Sequence, residues 1–428
     1  VVDAQTQFII DLCVLVSCSL LAGELALRMG QLALVGQLLA GVILGPTLLA
    51  PFLGPSVGFT SVSPQLSAIQ FLATFFVLFM AGMEMKPEDI FRMEPSTLVL
   101  GFLIFLVPFG VTFLTVTLLY PTISSLLAVF IAVTLSITAL PVMVVMVAEF
   151  GLSGRRLGVY VLNLALINEL AAVTVFALLL RIQASNGQIS FNAVGGAVFS
   201  ILLFLGVVFA AYYALKRIHR HGGWGEISTP TGGVRTKQAG FAILIALALM
   251  AALFSQYLGL TFIIGAFYAG ILVTPQSVGE KLYEEVRDLL RMFMWGLFIP
   301  LFFVIAGLQS NLRLLENYSV LTAFAALLLV AALSKVTVGA GLSRLLGRSG
   351  PDSLAVGFMV NCRGAVEIAM AVILYNEGFL DTRWFTIVVG VGVVTTFLAP
   401  MGAVLAWRTT AASRAELARR APSLAAPR

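Results

Sequence analysis

Charge is what this sequence has least of. Asp, Glu, Lys and Arg make up only 11% of it, against 60% hydrophobic residues. A soluble domain carries roughly a quarter charged residues. A water-soluble chain of 428 residues built this way would lack the polar surface to cover its core, whereas a bilayer removes that need. Cysteine is scarce too. Cys13, Cys18 and Cys362 lie in apolar runs without metal-ligand spacing, so neither a disulfide framework nor a zinc site is suggested. The two histidines, His219 and His221, fall in the stretch His-Arg-His-Gly-Gly-Trp-Gly. It reads as a solvated cytoplasmic loop, with a pH sensor as the alternative. The net charge of +5 invites a nucleic-acid reading, which is rejected because the basic residues lie in short loops between apolar runs, where topology explains them.

What the chain does have is long apolar runs throughout its length, so they are not one anchor on a soluble head. A membrane span needs about 20 apolar residues. On that measure spans fall at 8–27, 32–50, 66–85, 97–119, 124–149, 157–180, 192–215, 240–257, 261–274, 292–309, 317–343, 353–377 and 384–407. The break between the eighth and the ninth rests on Gly259 alone. The chain starts at Val1, not Met, and is expected to begin after a trimmed or processed start. The first run is too long for a signal-peptide core. It contains Asp11 and Glu24, to which no chemistry is assigned.

Basic residues test the count. With thirteen helices, 20 of the 25 Lys and Arg residues fall on one side, from Arg28 to the five arginines after residue 407. Only Arg181, Arg313 and Arg383 fall on the other. The positive-inside rule then predicts a cytoplasmic C-terminus and an outside N-terminus. Two cations remain, Lys335 in the eleventh span and Arg363 in the twelfth. A cation inside apolar sequence costs several kcal/mol unless it is paired.

The chain repeats itself. Residues 36–46 read GQLLAGVILGP and 265–275 read GAFYAGILVTP; residues 77–83 read VLFMAGM and 302–308 read FFVIAGL. The matches relate the second helix to the ninth and the third to the tenth. An odd offset of seven makes the matched helices cross in opposite senses, so two inverted six-helix repeats are expected with the seventh helix as linker. Such repeats occur in secondary transporters, whose site lies at the repeat interface near the midplane. The same offset pairs the fifth helix, with Thr134-Leu-Ser-Ile-Thr-Ala-Leu-Pro141, and the twelfth, with Asn361-Cys-Arg-Gly-Ala-Val-Glu367. Pro141 removes a backbone hydrogen bond mid-span, as a break or a simple kink. Two interrupted helices at corresponding positions are the best sequence pointer to an ion site.

Glu169 sits mid-helix beside Asn168. Burial penalises an ionised carboxylate and a nearby cation restores it, so such a group can hold either a proton or a cation. That competition is the basis of antiport. Asn168 offers a carbonyl oxygen but cannot carry a proton. The alternative is a fixed salt-bridge acid. Lys335 is the candidate partner of this pair, or a lysine snorkelling from a helix end. Arg363 and Glu367 are four apart and share a helix face; their pairing is read as stabilising the broken helix rather than handling ions directly. Ser136 and Thr138 either supply oxygens at the break or bond back to the backbone. Glu149 ends the fifth helix and is a candidate for gating entry. The carrier site expected is therefore Asn168, Glu169, Thr138 and Ser136, with Glu169 and Asn168 contacting the cation.

Gly41-Val-Ile-Leu-Gly-Pro46, Phe79-Met-Ala-Gly-Met-Glu84 and Asn361-Cys-Arg-Gly-Ala-Val-Glu367, in this order, resemble the monovalent cation:proton antiporter-2 family, which includes Kef-type, NapA-type and plant cation/proton exchangers. The resemblance covers essentially the whole chain. It implies an all-α polytopic membrane protein of about thirteen helices with crossed broken helices, as in NapA and NhaA. It further implies a homodimer working by an elevator motion, with 1–85 and 240–309 for dimerisation, 97–181 and 317–407 as the mobile core, 192–215 as linker and 408–428 as a short cytoplasmic tail. It places Asn168 and Glu169 at the ion-binding pair, Thr138 at the helix crossing and Lys335 as the paired base. Members that move net charge carry two adjacent aspartates at the pair and electroneutral ones carry Asn-Asp; Asn168-Glu169 therefore suggests electroneutral exchange. Kef-type systems usually add a large cytoplasmic nucleotide-binding domain. The short tail leads us to expect that such regulation is absent or supplied by another chain.

The function expected is exchange of sodium or potassium for protons across a bacterial inner membrane, with no cofactor, no enzymatic activity and no nucleic-acid partner. A gated cation channel would need a filter-like ring of carbonyls or side chains, and no such segment is evident. An exporter of an organic or ionophore substrate on the same scaffold is the other alternative.

Overall fold

The computed structural model describes residues 3–29, 31–49, 62–85, 93–152, 155–184, 191–220 and 237–408. Among these the regular structure is helical: α1 Ala4–Arg28, α2 Ala33–Leu44, α3 Pro64–Met83, α4 Pro95–Leu119, α5 Ser125–Thr134, α6 Leu140–Glu149, α7 Arg156–Ala184, α8 Phe191–Arg220, α9 Lys237–Tyr257, α10 Phe262–Leu272, α11 Pro275–Val278, α12 Glu280–Phe293, α13 Ile299–Gln309, α14 Tyr318–Leu345, α15 Gly350–Met359, α16 Ala365–Asn376 and α17 Thr382–Arg408. Nine helical stretches among the described residues are long and apolar enough to cross a membrane, and shorter apolar helices include α2, α5, α10 and α16. Helix starts carry the expected signals. The Ser63 hydroxyl accepts from Leu66 N ahead of Pro64, Ser124 accepts from Leu127 N, and Ser349 from Asp352 N, each satisfying a donor the helix cannot. Exposed positions of α4, such as Phe102, Leu114 and Leu118, are as apolar as its buried ones, which suits lipid rather than water.

The structure bears out the interrupted fifth and twelfth spans and corrects the sequence reading at Pro141, at the tenth span and at His219. The fifth and twelfth spans are each two half-helices: α5 and α6 are separated by non-helical residues 135–139, and α15 and α16 by 360–364. Pro141 is therefore not mid-helix. It occupies the second position of α6, where its missing N–H is one the helix end would leave unpaired anyway. The tenth span begins at Glu280, not residue 292, so Lys281, Arg287 and Arg291 lie on α12 rather than in a loop. Val286 and Leu290 form the buried edge of that helix, a π-turn over Met294–Phe298 follows, and α13 completes the stretch. The backbone of His219 belongs to the last turn of α8; His221 and the tail beyond Arg408 lie outside the described residues.

The chain divides into two compact units. The first holds residues 1–92, 173–314 and 368–386; the second holds 93–172, 315–367 and 387–428. In the first, the Ala-Gly motifs are where helix backbones meet. A methyl group added at Gly41 would collide with the Val304 carbonyl and come within 2.9 Å of Gly307 Cα, and one at Gly307 would collide with the Leu38 carbonyl. The same happens between α3 and α10: Gly82 against the Phe267 carbonyl, Gly270 against that of Phe79. In every case a glycine rests on the carbonyl three residues before its partner glycine. That reciprocity is what a two-fold related repeat produces, and only glycine allows the approach.

Candidate functional site

The second unit contains the break of α5–α6, the break of α15–α16, and the mid-helix residues Asn168, Glu169 and Lys335. Its polar core is buried. Thr134, Ser136, Thr138, Asn168, Glu169, Lys335, Asn361, Arg363 and Glu367 are all at most 2% exposed. The unwound backbone needs partners that helices would otherwise supply, and the side chains supply them.

The first break is held from α7. Asn168 Oδ1 accepts from Thr138 N at 2.6 Å, and Asn168 Nδ2 donates to the Ser136 carbonyl at 3.3 Å. Glu169 Oε2 accepts from Leu140 N at 2.8 Å. Leu140 is the first residue of α6, so the carboxylate sits on the positive end of that half-helix. The Ser136 hydroxyl bonds back to the Ala132 carbonyl at 2.6 Å. The Thr138 hydroxyl instead reaches the other break, donating to the Val360 carbonyl at 2.7 Å.

Lys335 arrives from α14. Its ammonium donates to the Thr138 hydroxyl at 2.6 Å, the Ile137 carbonyl at 2.5 Å and the Val360 carbonyl at 3.4 Å. Its link to Asn168 therefore runs through Thr138. The two breaks also touch directly, Ala139 N donating to the Cys362 carbonyl at 3.3 Å.

The second break is held from α17. Arg363 N donates to Thr396 Oγ1 at 3.0 Å, and the same hydroxyl lies 3.0 Å from the Arg363 carbonyl. Arg363 Nη1 donates to Glu367 Oε1 at 3.1 Å and to the Thr134 carbonyl at 3.5 Å. Thr134 ends α5 and Glu367 lies in the first turn of α16. Four half-helix ends thus meet four charges of the compensating sign: Arg363 at the end of α5, Lys335 at that of α15, Glu169 at the start of α6 and Glu367 at the start of α16.

Of the site residues expected from sequence, Asn168, Glu169, Thr138, Lys335, Arg363 and Glu367 join this network through their side chains, Ser136 joins it through its carbonyl while its hydroxyl bonds back to α5, and Pro141 fixes the start of α6. Sequence reasoning did not single out Thr396, Cys362, or the carbonyls of Ile137 and Val360. Thr396 had a signal, because the repeat matches its helix to that of Asn168. Carbonyl partners leave no trace in side-chain identity. Glu84, at the end of the motif Phe79–Glu84, lies in the other unit, in a pocket with Tyr283, Arg287 and Arg291.

Crossed half-helices with charges buried at their ends, in an apolar chain of many spans, define a multi-pass integral membrane protein with the architecture found in secondary transporters. Comparison with known proteins makes this specific. The family model described as sodium/hydrogen exchanger, transmembrane, matches residues 14–408, and the chain belongs to that family. It is 28% identical to K(+)/H(+) antiporter 1 of Saccharomyces cerevisiae over 410 residues, covering 92% of this chain and 45% of that protein. It is 25% identical over 410 residues to the Na(+)/H(+) antiporter NhaS4 of Synechocystis sp., covering 92% of this chain and 96% of that one. The chain spans about half the length of the yeast relative and of Cation/H(+) antiporter 17 of Arabidopsis thaliana, 45% and 48%. Among solved structures, the sodium proton antiporter MjNhaP1 of Methanocaldococcus jannaschii superposes with a TM-score of 0.62 at 15% identity, covering 92% of this chain and 96% of that one. The chain shares that fold.

Proposed function

We propose that this protein exchanges a monovalent cation, sodium or potassium, for protons by alternating access, electroneutrally, with Glu169 as the carrier. The observation that carries this reading is a fully buried carboxylate whose Oε2 holds the first N–H of a half-helix. A proton or a cation arriving at Glu169 competes with that bond, so ion occupancy and the geometry of the break are tied together. Asn168 fixes the preceding turn and contributes its amide oxygen to the cation. Ser136 and Thr138 contribute oxygens, while Lys335 holds positive charge beside the site on neutral acceptors. With Glu169 as the one titratable carboxylate of the pair, one proton leaves for each cation bound. The names of the antiporter relatives agree with this reading.

On the same reading the protein is a homodimer in a bacterial inner membrane, N-terminus outside and C-terminus cytoplasmic. Helices within 1–85 and 240–309 form the dimerisation domain, and those within 97–181 and 317–407 form the mobile core. Proton and cation are its only ligands, and no cofactor is needed.

The test is proton flux in proteoliposomes after pulses of sodium, potassium and lithium. Wild-type protein is expected to respond to at least one cation, without dependence on membrane potential, and Glu169→Gln to lose the response. Unchanged cation-driven flux in that variant would falsify the site. Flux that follows the potential would reject electroneutrality, and cation current without proton movement would replace the exchanger by a channel.

A further inference from the structure

The second break carries buried polar atoms that holding the backbone does not use. Within its guanidinium only Nη1 of Arg363 is bonded; Nε and Nη2 have no partner, and neither has Glu367 Oε2. Asn361 Oδ1, earlier on the same unwound segment, is another such atom. Both members of the ion pair are 1% exposed. An unpaired buried polar atom costs about 1–3 kcal/mol, more when charged. Arg and carboxylate commonly avoid this by a two-bonded fork. Here the pair is joined at one oxygen only. Across from it α17 presents Gly392, where an added Cβ would lie 3.2 Å from Oε1 and 3.3 Å from Oε2 of Glu367. A bare backbone at that point keeps the carboxylate's surroundings clear of side-chain atoms.

The two oxygens of Glu367 therefore have different work. Oε1 is tied to Arg363, while Oε2 keeps lone pairs open in a region sealed from solvent. We propose that Glu367 is a second proton-binding carboxylate, separate from the carrier site, that takes up and releases a proton at Oε2 while Oε1 stays bonded to Arg363. The proton comes from solvent hydronium by transient opening of the region and returns to solvent the same way, and no other bond is made or broken. Uptake turns the ion pair into a hydrogen bond between a cation and a neutral acid. The guanidinium, still against the Thr134 carbonyl, is then left to balance the end of α5 alone. The charged groups acting on Glu367 are Arg363 on its own segment and Lys335 on α14; Gly392 on α17 does not titrate. The proton stays in place during exchange and sets its rate, so the cation-to-proton ratio is still fixed at Glu169. This inference rests on the exchange reading above.

The experiment compares wild type with Glu367→Gln, which keeps the size of the side chain and removes the titration. Initial rates of cation-driven proton movement are measured with equal pH on both sides, across the range in which the protein is active. The variant is expected to lose one titration from the pH profile and to keep the wild-type cation-to-proton ratio. A profile identical to wild type overturns the proposal. Should Glu367→Gln not yield folded protein, Glu367→Asp decides, because a shifted titration supports the assignment and an unshifted one rejects it. Acid–base titration of the purified proteins in detergent reads the site without transport. Glu367→Gln should bind one proton fewer, and equal binding overturns the assignment. A wild type without cation-driven flux would remove the exchange reading and leave that proton count to judge Glu367.

Discussion

The two breaks in the second unit solve one problem with different chemistry. At each, a side chain from the next full helix captures an unwound N–H: Asn168 takes that of Thr138, and Thr396 that of Arg363. At each, a carboxylate meets the start of a half-helix and a cation meets the end of another. The difference lies in how acid and base are arranged. In the second break Arg363 and Glu367 stand on one segment and bond to each other. In the first, the acid comes from α7 and the base from α14, and the ammonium spends its bonds on Ile137 O, Thr138 Oγ1 and Val360 O. A base satisfied by neutral oxygens does not tie up its carboxylate neighbour, whereas a base bonded to its own acid holds one of that acid's two oxygens. On the proposed reading the first break is the carrier and the second its support.

Removing Arg363 breaks that division most severely. Arg363→Met strands Glu367 in a site with 1% exposure. Losing one partner of a buried pair costs about 3–5 kcal/mol. Thermal unfolding in detergent should show a large loss of stability, and Arg363→Met/Glu367→Met should recover most of it, since both charges then leave together. If the double variant were no better than the single one, the pair would not be a closed unit.

Lys335→Met comes next. It leaves Ile137 O, Thr138 Oγ1 and Val360 O without their shared donor, but no carboxylate is bonded to the missing ammonium. Thr138 and Val360 retain their bond to each other, which leaves Ile137 O as the acceptor stripped outright, and one lost bond to a charged donor is worth roughly 1.5–3 kcal/mol. The loss should therefore be smaller than in Arg363→Met in the same unfolding measurement. A larger loss would mean that the ammonium of the first break is bound as tightly into an acid–base pair as the guanidinium of the second.

The contrast between the breaks was only half legible in the sequence. Glu169, Lys335 and Arg363 stood out because ionisable residues are rare inside apolar runs, and Pro141 pointed at the fifth span. The motifs around Gly41, Gly82, Gly270 and Gly307 announced the repeat, since close helix approach requires glycine. Three things were hidden. The non-helical gap falls before Pro141, because proline is tolerated at a helix start and constrains mainly what precedes it. The capture of Leu140 N by Glu169 joins positions 29 apart, and nothing local encodes it. The start of α12 was missed because Glu280, Lys281, Glu284, Glu285, Arg287, Asp288 and Arg291 outweigh its short apolar edge; a hydropathy scan registers composition before periodicity.

Thr396→Val tests the finest part of the comparison. The hydroxyl is bonded to both the N–H and the carbonyl of Arg363, and valine keeps the branched shape while removing them. A net hydrogen bond contributes about 0.5–1.5 kcal/mol, and the buried N–H left behind adds about 1–3 kcal/mol. Lost stability should be at the low end of that range, because the guanidinium of Arg363 still anchors the segment to Thr134 and Glu367. Cation-driven proton flux should persist, at a changed rate, since no group of the Asn168–Glu169 pair is touched. Asn168→Ala, which removes the equivalent capture at the first break, should instead abolish the flux along with the stability. Equal effects of the two substitutions on flux would show that either break can serve the ion, and the separation of carrier from support would fall.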